Sequence, residues 1–312
     1  GYRTGWKAIQ GREPVIRFTV IGGYLGAGKT TLLNRILTKE KGVRYALLIN
    51  DFGEINIDAK LIESQTDSQI NLTNGCVCCT LVDGFHEAID QLCHLQPPPD
   101  HIIVEASGVA DVSNLAQYGY APNLALDGVL VLADAETVQE KANDKYVATT
   151  VRRQLAAADI IILNKTDLVS EETLGKRIDW LTTTFPGATL INAEFGEVPI
   201  DLLFDVHTAT KPDDLHHADH EHYITWKFEQ SQPTTREALQ SFISQLPTSV
   251  IRAKGFAGQK CGSDLLVQVV GKRREIHEVE GNQTGILLTA IGLESQLDCS
   301  HLDELRELVF GT

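Results

Sequence analysis

The chain has 312 residues, 43% of them hydrophobic and 22% charged, which is typical of a globular protein with a sizeable core. Its 42 acidic residues outnumber 27 basic ones, and the formal net charge of −15 disfavours nucleic acid or an anionic membrane as a partner. We find no apolar run of 18 residues and no secretory signal pattern, so we expect no membrane span and a cytoplasmic location.

The first predicted elements are a strand and a helix joined by glycines. An apolar run from Val15 to Ile21 predicts the strand, and apolar residues within 32–37 follow helical spacing. Between them lies Gly23-x4-Gly28-Lys29-Thr30, a P-loop pattern whose backbone amides and helix amino terminus bind phosphate. Lys29 is assigned to the β- and γ-phosphates and the Thr30 hydroxyl to Mg²⁺. The predicted nucleotide-binding residues here are Gly23, Gly26, Ala27, Gly28, Lys29, Thr30 and Thr31. A merely flexible glycine loop is the alternative.

Three cysteines follow in "TNGCVCC", namely Cys76, Cys78 and Cys79. In a reducing compartment, clustered thiols are more often metal ligands or reactive groups than disulfides. Thiolates select Zn²⁺, Cu⁺ and similar ions, but adjacent Cys78 and Cys79 are hard to direct at one ion without backbone adjustment. We therefore expect two or three of the thiolates to bind, completed by an outside ligand. Cysteines that only pack in the core, or a redox thiol, are the alternatives.

The next predicted strand, Ile102 to Val104, leads into an acidic residue and a glycine in "VEASG". Glu105 is positioned to hold Mg²⁺, directly or through water, and the Gly108 amide to contact the γ-phosphate. With Lys29 and Thr30, these two residues form the predicted catalytic set. A structural acid at a strand end is the alternative for Glu105.

A later apolar run, Ile160 to Leu163, predicts a buried parallel strand that ends in "NKTD". In open α/β sheets the carboxyl edge of such a strand binds ligands. Asp167 can accept hydrogen bonds from the N1–H and the exocyclic amine of guanine, a donor pair that adenine lacks, so GTP is the predicted nucleotide. Asn164 and Lys165 are assigned to the same base site, and Ala193 of "LINAEFG" to a further base-contacting loop. A surface turn is the alternative reading of "NKTD".

An acidic histidine-rich tract, "DDLHHADHEH", separates the nucleotide-binding part from the rest of the chain. Imidazoles beside carboxylates favour a loose site for Zn²⁺, Ni²⁺ or Co²⁺, and a solvated acidic linker is an equal reading. The histidines of this weak metal site are His216, His217, His220 and His222.

The remainder predicts a small α+β domain. "YITWKFEQ" alternates like a strand, a helix is predicted for residues 234–245, and three further strand-like runs follow. Ser300-x-x-Asp303 is a capping pattern that predicts the start of a last helix. The basic cluster from Lys272 to Arg274 is interpreted as a solvated turn between strands.

Together these elements predict a doubly wound, mostly parallel α/β sheet of the P-loop NTPase type, followed by a smaller α+β C-terminal domain. The predicted organisation is a tail at 1–13, a GTPase domain at 14–205, an acidic His-rich linker at 206–222 and the second domain at 223–312.

The motifs "GGYLGAGKTT", "NDFGE", "TNGCVCC", "VEASGVAD" and "NKTD", in this order, resemble the CobW/YjiA family of P-loop GTPases, and "RAKGF" resembles its C-terminal domain. Members of that family are implicated as metal chaperones or metallocentre assembly factors. The resemblance implies hydrolysis of GTP to GDP and phosphate, coupled to delivery of zinc, cobalt or another transition metal, without saying which metal. It also implies that Glu54 completes the cysteine site and that Asp51 belongs to the Mg²⁺ shell. It names no client protein and leaves a homo-oligomer open.

Three classes of function fit these patterns. The first is a GTP-hydrolysing metal chaperone with its metal at the C-x-C-C segment. The second is a GTPase regulator or assembly factor whose cysteines are structural or redox-active. The third is a passive zinc-binding protein with a vestigial nucleotide site. A GTP turnover that responds to metal distinguishes the first class from the other two.

Overall fold

The computed structural model describes residues 15–39, 43–49, 70–71, 82–204, 223–259, 263–279, 281 and 283–311. These residues form two compact units, one within 15–204 and one within 223–311. Across these described ranges, no helix has the length and apolar character needed to cross a membrane.

The first unit is built on a parallel β-sheet. Its strands are β1 (Ile16–Gly23), β2 (Tyr45–Ile49), β3 (Ile70–Asn71), β4 (His101–Glu105), β5 (Leu124–Asp134), β6 (Ile160–Asn164) and β7 (Thr189–Asn192). In the described residues they lie in the order β3-β2-β4-β1-β5-β6-β7, and every pair is parallel. Each residue of β1, β4 and β6 is buried, as expected when both faces of a sheet are covered.

Described helices lie between β1 and β2 and in each connection from β3 to β7, because parallel neighbours need a crossover connection. The helices of this unit are α1 (Lys29–Lys39), α2 (Val82–Cys93), α3 (Val112–Ala116), α4 (Val138–Lys141), α5 (Ala148–Ala157), α6 (Glu171–Thr184) and α7 (Ile200–Leu203). Helix α1 buries Leu32, Leu33, Ile36 and Leu37, which confirms the apolar stripe predicted within 32–37. Burial of that stripe anchors α1, which begins at the end of the P-loop, in the core of this unit.

The second unit is an antiparallel sheet with two helices. Its strands are β8 (Tyr223–Gln230), β9 (Val250–Gly258), β10 (Asp264–Val270), β11 (Arg273–Val279) and β12 (Ile286–Leu293), and its helices are α8 (Arg236–Gln245) and α9 (Cys299–Phe310). The described strands lie in the order β11-β10-β9-β12-β8. Trp226 stacks on Phe228 and Phe242, and these rings join apolar side chains of both helices in the core of this unit. The predicted pairing of a parallel α/β sheet with a smaller α+β unit is therefore confirmed.

The sequence suggests that the basic cluster 272–274 is a solvated turn, but only part of it is. The turn is limited to Gly271 and Lys272, with Gly271 at φ +53°, and β11 already begins at Arg273. The Arg274 guanidinium donates to the carbonyl oxygens of Ile243, Ser244 and Leu246 at 2.6–2.8 Å. Local sequence does not indicate this role of Arg274, because the carbonyls at the end of α8, which need donors, lie 28–31 residues away.

The capping pattern predicted at Ser300 is also wrong. Asp298 is the N-cap of α9, and its carboxylate accepts from the Ser300 amide at 2.9 Å. Asp303 instead accepts from the Trp226 indole at 3.0 Å and from Arg306, which lowers the pKa of its carboxyl, chiefly through the indole hydrogen bond. Tertiary pairing with Trp226 gives Asp303 a role that local spacing does not indicate.

Replacing Arg274 with alanine should destabilise the carboxyl end of α8 by about 1–3 kcal/mol, since three carbonyls lose a charged donor. Hydrogen exchange of peptides covering α8 measures this as faster exchange. Lys227→Ala is the control because it removes the same charge from an exposed position of the same unit. Equal α8 protection in the two variants would contradict the capping role of Arg274.

Candidate functional site

The P-loop connects β1 to α1 at the centre of the parallel sheet. Gly23 ends the strand at φ +136°, and a Cβ there would lie 2.6 Å from the backbone oxygen of Leu132. Gly28 has φ +105°, and a Cβ there would collide with the Asn164 amide. Both positions therefore require glycine. The Lys29 ammonium donates to the Gly23 carbonyl at 2.8 Å, which folds the lysine back over the loop.

A cavity of about 340 Å³ opens above this loop. Its lining residues are Leu25, Gly26, Gly28, Lys29, Thr30, Thr31, Ile49, Glu105, Ala106, Ser107 and Gly108. One wall consists of the P-loop and the amino terminus of α1, which together suit an anion. Glu105 belongs to the other wall and is only 5% exposed. All four predicted catalytic residues, Lys29, Thr30, Glu105 and Gly108, thus line one cavity.

The segment after β4 closes against the P-loop. A Cβ on Gly108 would lie 2.9 Å from the backbone nitrogen and the Cγ of Leu25, so the two loops are in contact and glycine is required there as well. From the other side, the Gln154 side-chain amide donates to the Gly108 carbonyl at 3.2 Å and to the Ala110 carbonyl at 2.9 Å. The Gly108 backbone is therefore held between the P-loop and α5.

Asn164 joins the P-loop to the loop after β7. Its buried amide nitrogen donates to the Ala27 carbonyl at 2.9 Å, and its amide oxygen accepts from the Gly196 backbone at 2.8 Å. Thr166 bonds to the Ala193 carbonyl through both its backbone N–H and its hydroxyl, each at 3.2 Å. The structure thus brings the predicted phosphate-binding and base-binding segments together at one edge of the sheet.

Lys165 and Asp167 complete the predicted base site. Lys165 adopts a left-handed backbone conformation, φ +64°, and its ammonium lies 2.7 Å from the carboxylate of buried Asp134. Asp167 lies in the short 3₁₀ turn Thr166–Leu168 with its side chain exposed. The carboxylate of Asp167 is consequently accessible to a ligand at this edge.

Sequence patterns missed two residues that organise the site. Asp134 ends the apolar run "VLVLAD", the same strand-then-acid pattern that identified Glu105, and could have been found in this way. Gln154 has no local signal, because its partners lie 44 and 46 residues away in the chain.

The predicted transition-metal and second magnesium ligands lie outside the described residues. They are Asp51, Glu54, Cys76, Cys78, Cys79, His216, His217, His220 and His222. Where side chains are described, no three His, Cys, Asp or Glu residues gather closely enough to hold a metal ion. The residues next to the segments that carry Asp51, Glu54 and the three cysteines are described. Ile49 lines the cavity, and Asn71 of β3 is aligned with Leu47 of β2. Both strands end at the carboxyl edge of the sheet, where the P-loop lies.

Comparisons with known proteins match both units. Residues 17–192 match the family described as CobW/HypB/UreG, nucleotide-binding domain, and residues 223–310 match the Cobalamin synthesis protein cobW C-terminal domain. The chain is 31% identical to a zinc chaperone CobW of Sinorhizobium sp, over 92% of this chain and 94% of that relative. It is 34% identical to the zinc chaperone YjiA of Escherichia coli (strain K12), over 61% of each chain.

Among solved structures, the Zn(II)-bound YjiA GTPase from E. coli is similar at 25% identity with a TM-score of 0.46, covering 94% of this chain and 98% of that chain.

The match to the nucleotide-binding domain family spans more than half of the 312 residues, and the Sinorhizobium relative aligns over nearly the whole chain. The chain therefore belongs to the CobW/HypB/UreG family.

Proposed function

We propose that this chain is a GTPase that binds a transition metal, zinc foremost and cobalt as the alternative, and couples delivery of the metal to GTP hydrolysis. The observation that carries the proposal is the cavity lined jointly by Lys29, Thr30, Glu105 and Gly108. The names of the curated relatives, zinc chaperones from two bacteria, support the metal as cargo.

The cavity suits the polyphosphate of a nucleotide. Backbone amides of the P-loop and the amino terminus of α1 supply partial positive charge, and Lys29 supplies a full charge for the β- and γ-phosphates. Lys29 would exchange its contact with the Gly23 carbonyl for phosphate oxygens. In a chain with a net charge of −15, this local concentration of donors is what allows an anion to bind.

A magnesium ion fits the same cavity, because the Thr30 hydroxyl and the buried Glu105 carboxylate both line it and Mg²⁺ prefers oxygen ligands. Thr30 would bind the ion directly, and Glu105 directly or through water, with Asp51 proposed for its shell. When bound, the ion would neutralise charge on the β- and γ-phosphate oxygens.

Hydrolysis requires a water oxygen to form a bond to the γ-phosphorus while the bond to the β–γ bridging oxygen breaks, giving GDP and phosphate. Because this reaction depends mainly on positioning and charge, the contributions proposed here are charge neutralisation by Lys29 and a γ-phosphate contact from the Gly108 amide.

Guanine is proposed to bind at the "NKTD" edge. Exposed Asp167 would accept from guanine N1–H and the exocyclic amine, and Lys165, held by Asp134, would cover the base. Asn164 and Ala193 would act chiefly by holding the "NKTD" loop in place. Asn164 bonds to the P-loop and to Gly196, and the Ala193 carbonyl accepts from Thr166.

The cysteine segment is proposed as the cargo site, with Cys76, Cys78, Cys79 and Glu54 as ligands. Residues 50–69 follow Ile49, which lines the cavity, and residues 72–81 follow β3 at the same sheet edge. Loss of the γ-phosphate at this edge of the sheet would change the contacts made by these two segments, 50–69 and 72–81. The tract from His216 to His222 is proposed only as a weaker additional site.

Lys29→Ala should lower GTP turnover by about 10²-fold or more, since the phosphates lose their full positive charge. Phosphate release under saturating GTP measures the effect, and Thr30→Ala should behave similarly through loss of a magnesium ligand. The control is Lys176→Ala, which removes the same charge from an exposed pair with Glu172 on α6. Near wild-type turnover in Lys29→Ala would contradict the P-loop assignment.

Asp167→Asn should weaken GTP by about 10–100-fold and improve xanthosine triphosphate, whose C2 carbonyl accepts a hydrogen bond where the guanine amine donates. Competition binding of the two nucleotides measures the preference. Glu171→Gln is the matched control, since it neutralises an exposed carboxylate four residues further along the chain. If the two variants show the same preference for GTP, the guanine assignment is wrong.

Metal affinity should differ between nucleotide states. A tenfold difference in Zn²⁺ affinity between the GTP-analogue and GDP forms corresponds to about 1.4 kcal/mol. By linkage, bound metal must then change the ratio of GTP-analogue to GDP affinity by the same factor. Cys78→Ser should abolish this difference and leave metal-free GTP affinity nearly intact. Chelator competition with Zn²⁺ and with Co²⁺ in each nucleotide state measures it.

Cys299→Ser is the control for that experiment, because it removes a half-buried thiol of the second unit. Alanine in place of His216, His217, His220 and His222 should remove only weak metal uptake. Equal zinc constants in both nucleotide states of the wild type would refute the coupling, and metal binding without any GTP hydrolysis would indicate a passive zinc-binding protein.

A further inference from the structure

Gln154 is a buried polar residue on the inner face of α5. It is 2% exposed, and its side-chain nitrogen donates to the carbonyls of Gly108 and Ala110, at 3.2 and 2.9 Å. One amide group thus bonds to the carbonyls of both residues that flank Val109. Both partner residues are buried, so these carbonyls depend on donors from within the protein.

The segment that Gln154 holds is the one that follows Glu105 into the cavity. Gly108 lines the cavity and packs against Leu25 of the P-loop, whereas the side chain of Val109, between the two bonded carbonyls, is 52% exposed. Packing of Val109 therefore contributes little to the position of this loop. The bond to the Gly108 carbonyl instead fixes the backbone on one side of the Gly108 Cα, and the Gly108 amide lies on the other side.

We infer that Gln154 is a positioning residue that holds the Gly108 amide toward the γ-phosphate end of the cavity. The inference rests on the proposed GTPase function and adds a residue of α5 to it. Because GDP lacks the γ-phosphate, correct placement of Gly108 should matter for GTP and for turnover but not for GDP. Gln154 would therefore set the discrimination between the two nucleotides without touching either.

Gln154→Met tests this inference, since it keeps the length of the side chain and removes both donor hydrogens. We expect the dissociation constant of a non-hydrolysable GTP analogue to rise and kcat to fall, each on the order of 10- to 100-fold. The GDP constant should stay within about twofold. Gln154→Glu keeps the shape and replaces the two N–H donors with a carboxyl group that offers at most one O–H donor, so it should change the same ratio of GTP-analogue to GDP affinity.

Leu155→Met is the matched control, because it is a volume-conserving change at the neighbouring buried position of α5. It should leave the ratio of GTP-analogue to GDP affinity unchanged. If Gln154→Met and Gln154→Glu weaken both nucleotides equally, or leave the ratio at the wild-type value, Gln154 is a structural residue only and the inference is overturned.

The wild-type measurement separates this inference from the function on which it rests. A wild type that neither hydrolyses GTP nor distinguishes the GTP analogue from GDP would overturn the proposed function, and the inference with it. A wild type that does both, beside Gln154 variants with an unaltered ratio, would overturn the inference alone.

Discussion

Parallel pairing of β1 with β4 on one side and β5 on the other is the constraint on which the site depends. Ile21 is aligned with Glu105, and Gly23 with Leu132, so the carboxyl ends of three strands meet at one edge. The described loops that follow β1, β4 and β6 each carry part of the candidate site, although they are far apart in sequence. Burial of these strands on both faces fixes their register and therefore fixes the relative positions of Lys29 and Glu105.

Hydrogen bonds from two buried amide side chains then hold these loops in place. Asn164 bridges the P-loop and the 193–196 loop, and Gln154 secures the segment around Gly108. A neutral amide suits this task, because it satisfies backbone donors and acceptors without placing another charge near Lys29 and Glu105. The electrostatics of the cavity thus stay with those two charged residues and the P-loop amides.

Sequence patterns predicted the parts of the protein in which the signal is local. The apolar runs of β1, β4 and β6 indicated the sheet, and the spacing of glycines around Lys29 indicated the loop between β1 and α1, which the structure confirms. The errors occurred where a distant partner determines the role of a residue. Arg274 binds the end of α8, and Asp303 binds Trp226, across 28–31 and 77 residues of chain respectively. Local spacing carries no information about either contact, and the same is true of Gln154.

Geometry at the carboxyl edge also bears on the proposed coupling of GTP hydrolysis to metal binding, which would need no long pathway through the protein. Ile49 at the end of β2 is aligned with Glu105 at the end of β4, and neighbouring strands are only about 4.8 Å apart. The last described residue of β2 and the last residue of β4 therefore lie side by side next to the cavity. In the proposed coupling, a γ-phosphate bound in this cavity would contact the segment after Glu105 close to the end of β2, so the coupling would require only two arrangements of these neighbours. This proximity follows from the strand order β2-β4-β1, which places the β2 and β4 loops together on one side of the P-loop strand.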